Sequence, residues 1–153
     1  MPVSDFQITY QTATQEDVPA IFSLSKALID QYEDVASIDY QKVLQWVQNK
    51  ITENICQYRC IYANGVKAGY FHLIPGDAET ELDDLYVLPE FRNQGIGTAV
   101  LQHCISITTT PMFLYVFKKN TEAIKLYSRI GFSVSEEVGK TRYILRREVD
   151  RPY

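Results

Sequence analysis

Apolar and polar residues alternate from Phe6 to Thr12, the period-two pattern of a half-buried strand. The period then changes. Thr14-Gln15-Glu16-Asp17 is an acid-rich helix start, Pro19 falls where a first-turn proline is tolerated, and Ile21, Leu24, Leu28 and Ile29 recur at helical spacing to about Tyr32. Asp39 can cap a second helix with Val43, Leu44 and Val47 on its inner face. Residues 55–63 and 66–74 read as strands around Asn64-Gly65, a strong hairpin-turn pair, and 81–88 follows the turn at Pro75-Gly76-Asp77 as a third. Gly95 to about Ile107 reads as a helix with Ile96, Val100, Cys104 and Ile107 along one side. Met112 to Phe117 is almost wholly apolar, as a strand buried on both faces would be. A helix follows from Asn120, its N-cap, to Ile130, with Glu122 in the first turn and Gly131 as the stop. Residues 132–135 and 141–147 form a closing hairpin. The order βααβββαβαββ predicts an α+β fold, a mixed, mostly antiparallel central sheet flanked by helices, with a parallel crossover from Leu82 to Phe117.

The 153 residues suit a single domain, 1–153. A net charge of −4 and a pI near 5.2 argue against a nucleic-acid partner, and any anionic ligand must be held by local groups. Met1-Pro2-Val3-Ser4-Asp5 has neither a basic nor an apolar leader pattern, and no apolar run is long enough to span a bilayer. Neither a secretory signal nor membrane insertion is therefore expected. Cys56, Cys60 and Cys104 are read as buried, reduced thiols in a cytoplasmic protein. No cluster with metal-ligand spacing stands out, so no metal is expected.

The chemistry concentrates in Leu85-Tyr86-Val87-Leu88-Pro89-Glu90-Phe91-Arg92-Asn93-Gln94-Gly95-Ile96-Gly97-Thr98-Ala99, where strand, short turn and glycine-rich helix start follow directly. Unpaired amides at a helix N-terminus stabilise an anion, and glycines let phosphate oxygens approach the backbone. Arg92 adds positive charge and Thr98 a hydroxyl. Gly97 is followed by Thr98-Ala99, not by the Lys-Ser/Thr of a Walker loop, and Val100 stands at the third position of a dinucleotide fingerprint. Two glycines that merely open a helix are the plainer reading of the same residues.

Arg92-x-x-Gly95-x-Gly97 after an apolar strand resembles the coenzyme A pyrophosphate motif of the GCN5-related N-acetyltransferase (GNAT) family. Asn120-Thr121-Glu122-Ala123-Ile124-Lys125-Leu126-Tyr127-Ser128-Arg129-Ile130-Gly131-Phe132 resembles that family's later Asn-x-x-Ala-x-x-x-Tyr-x-x-x-Gly-Phe segment, and Ala13-Thr14-Gln15-Glu16-Asp17 its first strand and helix. The resemblance covers nearly the whole chain. It implies an N-acetyltransferase that moves an acetyl group from acetyl-CoA to an amine of a small molecule or peptide, directly, in a ternary complex. It also implies roles. The backbone at Tyr86 and Val87 would lie at a bulge, beside parting parallel strands, and pair with the pantetheine arm. Arg92 and the amides of Gln94, Gly95, Ile96, Gly97 and Thr98 would hold the pyrophosphate. Asn120 would touch the coenzyme arm, and Tyr127 would protonate the departing thiolate.

By spacing alone Tyr127 is equally a core residue, with Ala123 and Ile130 beside it. Lys118 and Lys119 are either near coenzyme phosphates or solvated. An amine of lysine-like pKa is about one part in a thousand neutral at pH 7, so transfer benefits from a base. Family members commonly carry one on the strand before the cradle, where alternation sets Glu81 and Asp83 on one face, Glu81 being the first choice and Asp83 the second. His72, on the neighbouring strand, is an outside candidate for a proton relay, and His103 is read as partly buried. Asp30, Tyr32, Glu33, Asp34, Asp39 and Tyr40 fall on the acceptor side and suit either a cationic amine or a solvated loop. Neither motif contains a cysteine, which argues against a covalent acyl-enzyme. A non-catalytic acyl-CoA binding or sensing domain is the alternative, with a nicotinamide enzyme behind it. Monomer and homodimer both remain open.

Overall fold

A computed structural model describes residues 6–150. The leader reading of Met1–Asp5 lies outside them. The strands are β1 (Ile8–Thr12), β2 (Tyr58–Ala63), β3 (Val66–Ile74), β4 (Thr80–Val87), β5 (Met112–Phe117), β6 (Ser133–Val138) and β7 (Arg142–Arg147). The helices are α1 (Val18–Tyr32), α2 (Tyr40–Asn54), α3 (Ile96–Ser106) and α4 (Thr121–Arg129). One seven-stranded sheet runs β1-β2-β3-β4-β5-β7-β6, antiparallel except where β4 meets β5. This is the order and class that the periodicities predict.

The local signals act as expected at several ends. Asn64 and Gly65 turn the β2–β3 hairpin with φ of 52° and 81°. Asp39 accepts from the Lys42 amide at 3.2 Å and caps α2, and Asn120 accepts from the Ala123 amide at 3.3 Å and caps α4.

The helices cover opposite faces of the sheet. Val18, Ile21 and Ile29 of α1 and Val47 and Ile51 of α2 pack with Tyr58, Cys60, Tyr70 and Tyr86. Ile96, Val100, Leu101 and Cys104 of α3 and Tyr127 of α4 pack with Phe71, Leu82, Leu114 and Leu145. Two expectations fail here. β5 is buried on one face only: Met112, Leu114 and Val116 face α3 and α4, while Tyr115 is exposed. The apolar pattern misleads because Phe113 and Tyr115 are covered by cations, Arg146 and Arg142, lying 5.8 and 5.6 Å from the ring centroids. Cys56 is exposed because Ile55–Gln57 is a single 3₁₀ turn ahead of β2, whereas Cys60 and Cys104 are buried.

The feature that shapes the site is a bulge in β4. His72 faces Asp84 and Leu73 faces Leu82, leaving Asp83 as the extra residue. Leu82 and Leu85 consequently turn to the α3 side although they are three apart, and Asp83 and Asp84 both turn towards α2, where Lys50 meets them. Strict alternation, by contrast, sets Asp84 on the face opposite Asp83.

Candidate active site

β4 and β5 pair as parallel strands only at Thr80–Met112 and Glu81–Phe113, and their ladder ends there. From Leu82 on, the facing edges of the two strands carry backbone groups with no ladder partner across the gap. Gly69 of β3 presses close on the other side: a Cβ there would overlap the Tyr86 carbonyl oxygen, with Val87 Cα 3.1 Å away. Tyr86 and Val87 therefore lie beside the opening, but the bulge expected at them is at Asp83, three residues earlier. Tyr86 also uses its side chain, which is buried and donates to Asp84 at 2.9 Å.

Beyond the strand, Pro89–Phe91 makes a 3₁₀ turn, Asn93 has φ 61° and Gly95 φ 83°, and α3 begins. The first bond of the helix is Ala99 N–H to the Gly95 carbonyl at 3.1 Å, so the amides of Ile96, Gly97 and Thr98 precede the helical ladder. Gln94 folds back to the Glu90 carbonyl at 3.1 Å. Arg92 donates its Nε to the Val87 carbonyl at 3.1 Å, so that acceptor, expected to be free for a pantetheine arm, is engaged. The terminal guanidinium nitrogens have no partner among the described residues. Gly97 has ordinary φ. A Cβ there would stand 3.4 Å from Leu126 Cδ2 and 3.9 Å from Val87 Cγ2, so this glycine also sits where α3 approaches α4 and β4.

Tyr127 projects from α4 into the α3-side core, edge-on to Phe132 at 5.7 Å. Among the described residues its hydroxyl has no hydrogen-bond partner, and no sealed side-chain polar atom is left unpaired, so the hydroxyl meets solvent. Burial, then the charge of Asp84, pushes the phenol well above its ordinary pKa. That electrostatic contact runs from α4 to an acid on the α2 side of the sheet, beside the β4–β5 opening.

On the α2 side the acids meet a network. Lys50 Nζ donates to Asp83 at 2.8 Å and Asp84 at 3.1 Å, and Tyr58 donates to Asp84 at 2.5 Å. His72, buried and stacked on Tyr58 with centroids 4.3 Å apart, meets Asp83 through Nδ1 at 2.8 Å and Gln57 through Nε2 at 3.2 Å. Burial pushes the Asp83 carboxyl up, but the hydrogen bonds from His72 and Lys50 outweigh it and hold it below the usual range. Burial and the charge of Asp83 raise Asp84. Glu81 is half-buried and raised, first by burial and then by Asp83, with Lys50 and His72 opposing; no partner bonds it among the described residues. His72, Asp83 and Asp84 bring ligand-type atoms within 4.8 Å of one another, a grouping that the bulge creates and that residue spacing does not reveal. The cation bonded to the two acids is the Lys50 ammonium.

The acceptor-side acids are tied up locally. Asp30 accepts from Lys26 at 2.8 Å and from Tyr40, Asp34 from Ser37 at 2.7 Å, and Asp39 caps α2. Lys118 reaches Glu137 at 3.4 Å and lies over Tyr143, and Lys119 is exposed. His103 is half-buried and stacks on Tyr10 with centroids 4.3 Å apart. A hollow of about 190 Å³ lined by Ile105, Thr108, Met112 and Arg147 lies at the start of β5, at the opposite end from the cradle. No helix among the described residues is long and apolar enough to cross a membrane.

The acetyltransferase (GNAT) family model matches residues 21–132, from α1 through α4 to the start of β6, a span that holds both motifs and the network. The chain belongs to the GNAT family. A GNAT relative, the peptidyl-lysine N-acetyltransferase YjaB of Salmonella typhimurium, is 22% identical over 128 residues, 84% of this chain and 85% of its own. The fold is shared with PaiA N-acetyltransferase of Thermoplasma acidophilum, solved in complex with coenzyme A, at a TM-score of 0.71 and 18% identity over 93% of this chain and 99% of that one. The ribosomal-protein-S18-alanine N-acetyltransferase of Escherichia coli matches at 0.66 and 18%, over 95% and 97%.

Within this GNAT fold, Glu81, Asp83, Tyr86 and Val87 follow one another along β4 from the end of its ladder with β5, Tyr127 enters the α3-side core from α4 under the charge of Asp84, and Arg92, Gln94, Gly95, Ile96, Gly97 and Thr98 form the turn and helix start after β4. Asn120 stands at the α4 N-terminus. Sequence reasoning missed Lys50, Gln57, Tyr58 and the part played by Asp84. Lys50 shares the inner side of α2 with Val47, Ile51 and Asn54 at helical spacing, and that is the signal available for it.

Proposed function

We propose that residues 1–153 act as one N-acetyltransferase domain in the cytoplasm, moving the acetyl group of acetyl-CoA to an amine of a small molecule or peptide in a ternary complex. The observation that carries this reading is the β4–β5 opening. It has unladdered strand edges along its length, the amides of Ile96, Gly97 and Thr98 with Arg92 at its mouth, and on the α4 side a Tyr127 hydroxyl that bonds no described residue and feels the charge of Asp84. The amides and guanidinium suit a pyrophosphate, the unladdered β4 edge at Tyr86 and Val87 suits an amide-rich arm once Arg92 turns from the Val87 carbonyl to the pyrophosphate, and Asn120 stands ready to contact that arm. The amine attacks the thioester carbonyl, Glu81 takes the amine proton, and Tyr127 gives its proton to the thiolate as the carbon–sulfur bond breaks. Asp83 is the less suited base because Lys50 and His72 already bond it. With the rim acids engaged elsewhere, preference for a cationic amine rests on Glu81, Asp83 and Asp84, three carboxyl groups opposed by Lys50 and His72.

The test is release of free thiol from acetyl-CoA with a panel of amines, and mass spectrometry of the products. A mass gain of one acetyl group on an amine supports the reading. Binding of acetyl-CoA without thiol release from any amine would make the domain a non-catalytic acyl-CoA binder. Calorimetric binding of a nicotinamide nucleotide in place of CoA would overturn the coenzyme assignment.

A further inference from the structure

The network under β4 contains an ion pair that spans two layers of the fold. Lys50 leaves the middle of α2, on the acceptor side, and ends between Asp83 and Asp84 with its side chain 17% exposed. Burial alone would depress its pKa; the two carboxylates outweigh that and hold the ammonium charged. Lone charges at such depth are costly, and further donors to the two acids offset that cost. Tyr58 and Tyr86 donate to Asp84, and His72 meets Oδ2 of Asp83, the oxygen that Lys50 also bonds. Asp83 and Asp84 are therefore each held by at least two side chains, while Glu81, two residues before the bulge, has no partner among the described residues. The division among three neighbouring acids is made by donors from α2, β2, β3 and β4 itself.

We propose that Lys50 is a positioning residue for acyl transfer: by binding Asp83 and Asp84 it fixes the β4 bulge to α2 and reserves Glu81 for the acceptor's proton. The inference rests on the acetyltransferase reading above. The charged and titratable groups around Glu81 are Asp83 and Asp84 on its own strand, Lys50 on α2, His72 on β3 and, beyond Asp84, Tyr58 on β2. Arg146 of β7, which lies over Phe113, the β5 partner of Glu81, is bonded to Glu79 and Glu136. Of these, Lys50 is the strongest influence favouring ionised Glu81, and Asp83 the strongest against it.

The experiment compares the acidic limb of the kcat/KM–pH profile, for one amine and saturating acetyl-CoA, in wild type, Lys50→Met and Lys50→Arg. The amine's own titration is common to all three, so differences report the protein. Lys50→Met should move the limb upward by roughly one pH unit, lower kcat/KM about tenfold at pH values on the limb itself, and leave the acetyl-CoA Kd unchanged. Lys50→Arg should return the limb towards wild type. Should Lys50→Met fail to fold, Lys50→Met with Asp84→Asn removes one cation and one anion together. The limb should still rise, because Lys50 acts on Glu81 more strongly than Asp84 does. A limb at the wild-type pH in a folded variant lacking Lys50 overturns the proposal, as does a shift that Lys50→Arg fails to reverse. Wild type that releases no thiol fails the acetyltransferase reading instead, so the two failures are distinct.

Discussion

Tyr127 combines a packed ring with an unbonded oxygen. Its ring lies against Phe132 and the α3-side core, while its hydroxyl bonds no group among the described residues. Removing that oxygen leaves no orphaned partner, so Tyr127→Phe should change stability by about 1 kcal/mol or less. If the phenol protonates the leaving thiolate, kcat should fall about a hundredfold or more. Acetyl-CoA affinity should hold, because the contribution belongs to the transition state. Thermal unfolding, steady-state rates and calorimetry on the one variant separate these effects; full activity would make Tyr127 a core residue only. Periodicity alone leaves both roles open, since Ala123, Tyr127 and Ile130 share a helix face in either case. The hydroxyl's lack of a partner among the described residues favours the chemical role, and that lack depends on side chains distant in sequence.

At the level of elements, β4 is set by what its neighbours allow. Gly69 lets β3 run directly against the backbone at Tyr86, and a methyl group there has no room. Gly69→Ala should destabilise the protein by about 1–3 kcal/mol and push β4 towards the β4–β5 opening. A lower Tm together with weaker acetyl-CoA binding would register both effects; wild-type values for both would mean the strands part without cost. Element order, turns and caps were legible because they are written locally: Asn64-Gly65, Asp39 and Asn120 each act within a few residues of themselves. The bulge was not. Glu81-Leu82-Asp83-Asp84-Leu85 fits simple alternation up to Asp83, and the extra residue becomes visible only through the pairing with His72 and Leu73. Lys50 and Tyr58 were missed for the same reason. They lie 33 and 26 residues from the acids they serve, a separation that no periodicity bridges.

For the whole molecule, a second ion pair, between a buried Asp17 and a half-exposed Lys67, fastens the start of α1 to the sheet. Asp17, 6% exposed, accepts from Lys67 at 2.7 Å, Tyr70 at 3.2 Å and the Thr14 amide at 2.9 Å. Burial pushes its carboxyl up, and the Lys67, Thr14 and Tyr70 bonds more than reverse this, holding it below the ordinary carboxylate value. A depressed carboxyl stabilises the fold at pH values above about 4, its unfolded range, and the contribution drains away as pH falls through the lower folded value. Asp17→Asn should therefore lower Tm at pH 7, by about 2–4 °C for each kcal/mol lost. The gap to wild type should close as both are titrated from pH 4 towards pH 2. A gap that stays constant over that interval would assign Asp17 to packing rather than to charge.

The extra residue in β4 also changes the parity of the strand. Before Asp83, even-numbered positions face α3, as Leu82 does; after it, odd-numbered ones do, as Leu85 and Val87 do. Everything downstream, including the turn that delivers Arg92 and the start of α3, is phased to this switch. A one-residue deletion between Leu82 and Leu85 would therefore erase the bulge but keep the phase, because Leu82 and Leu85 would then stand two apart and share the α3 face by plain alternation. What would be lost is the paired presentation of Asp83 and Asp84, since a single carboxylate would then meet Lys50, whereas the same deletion in the exposed turn 75–78, outside the ladder, leaves both acids in place.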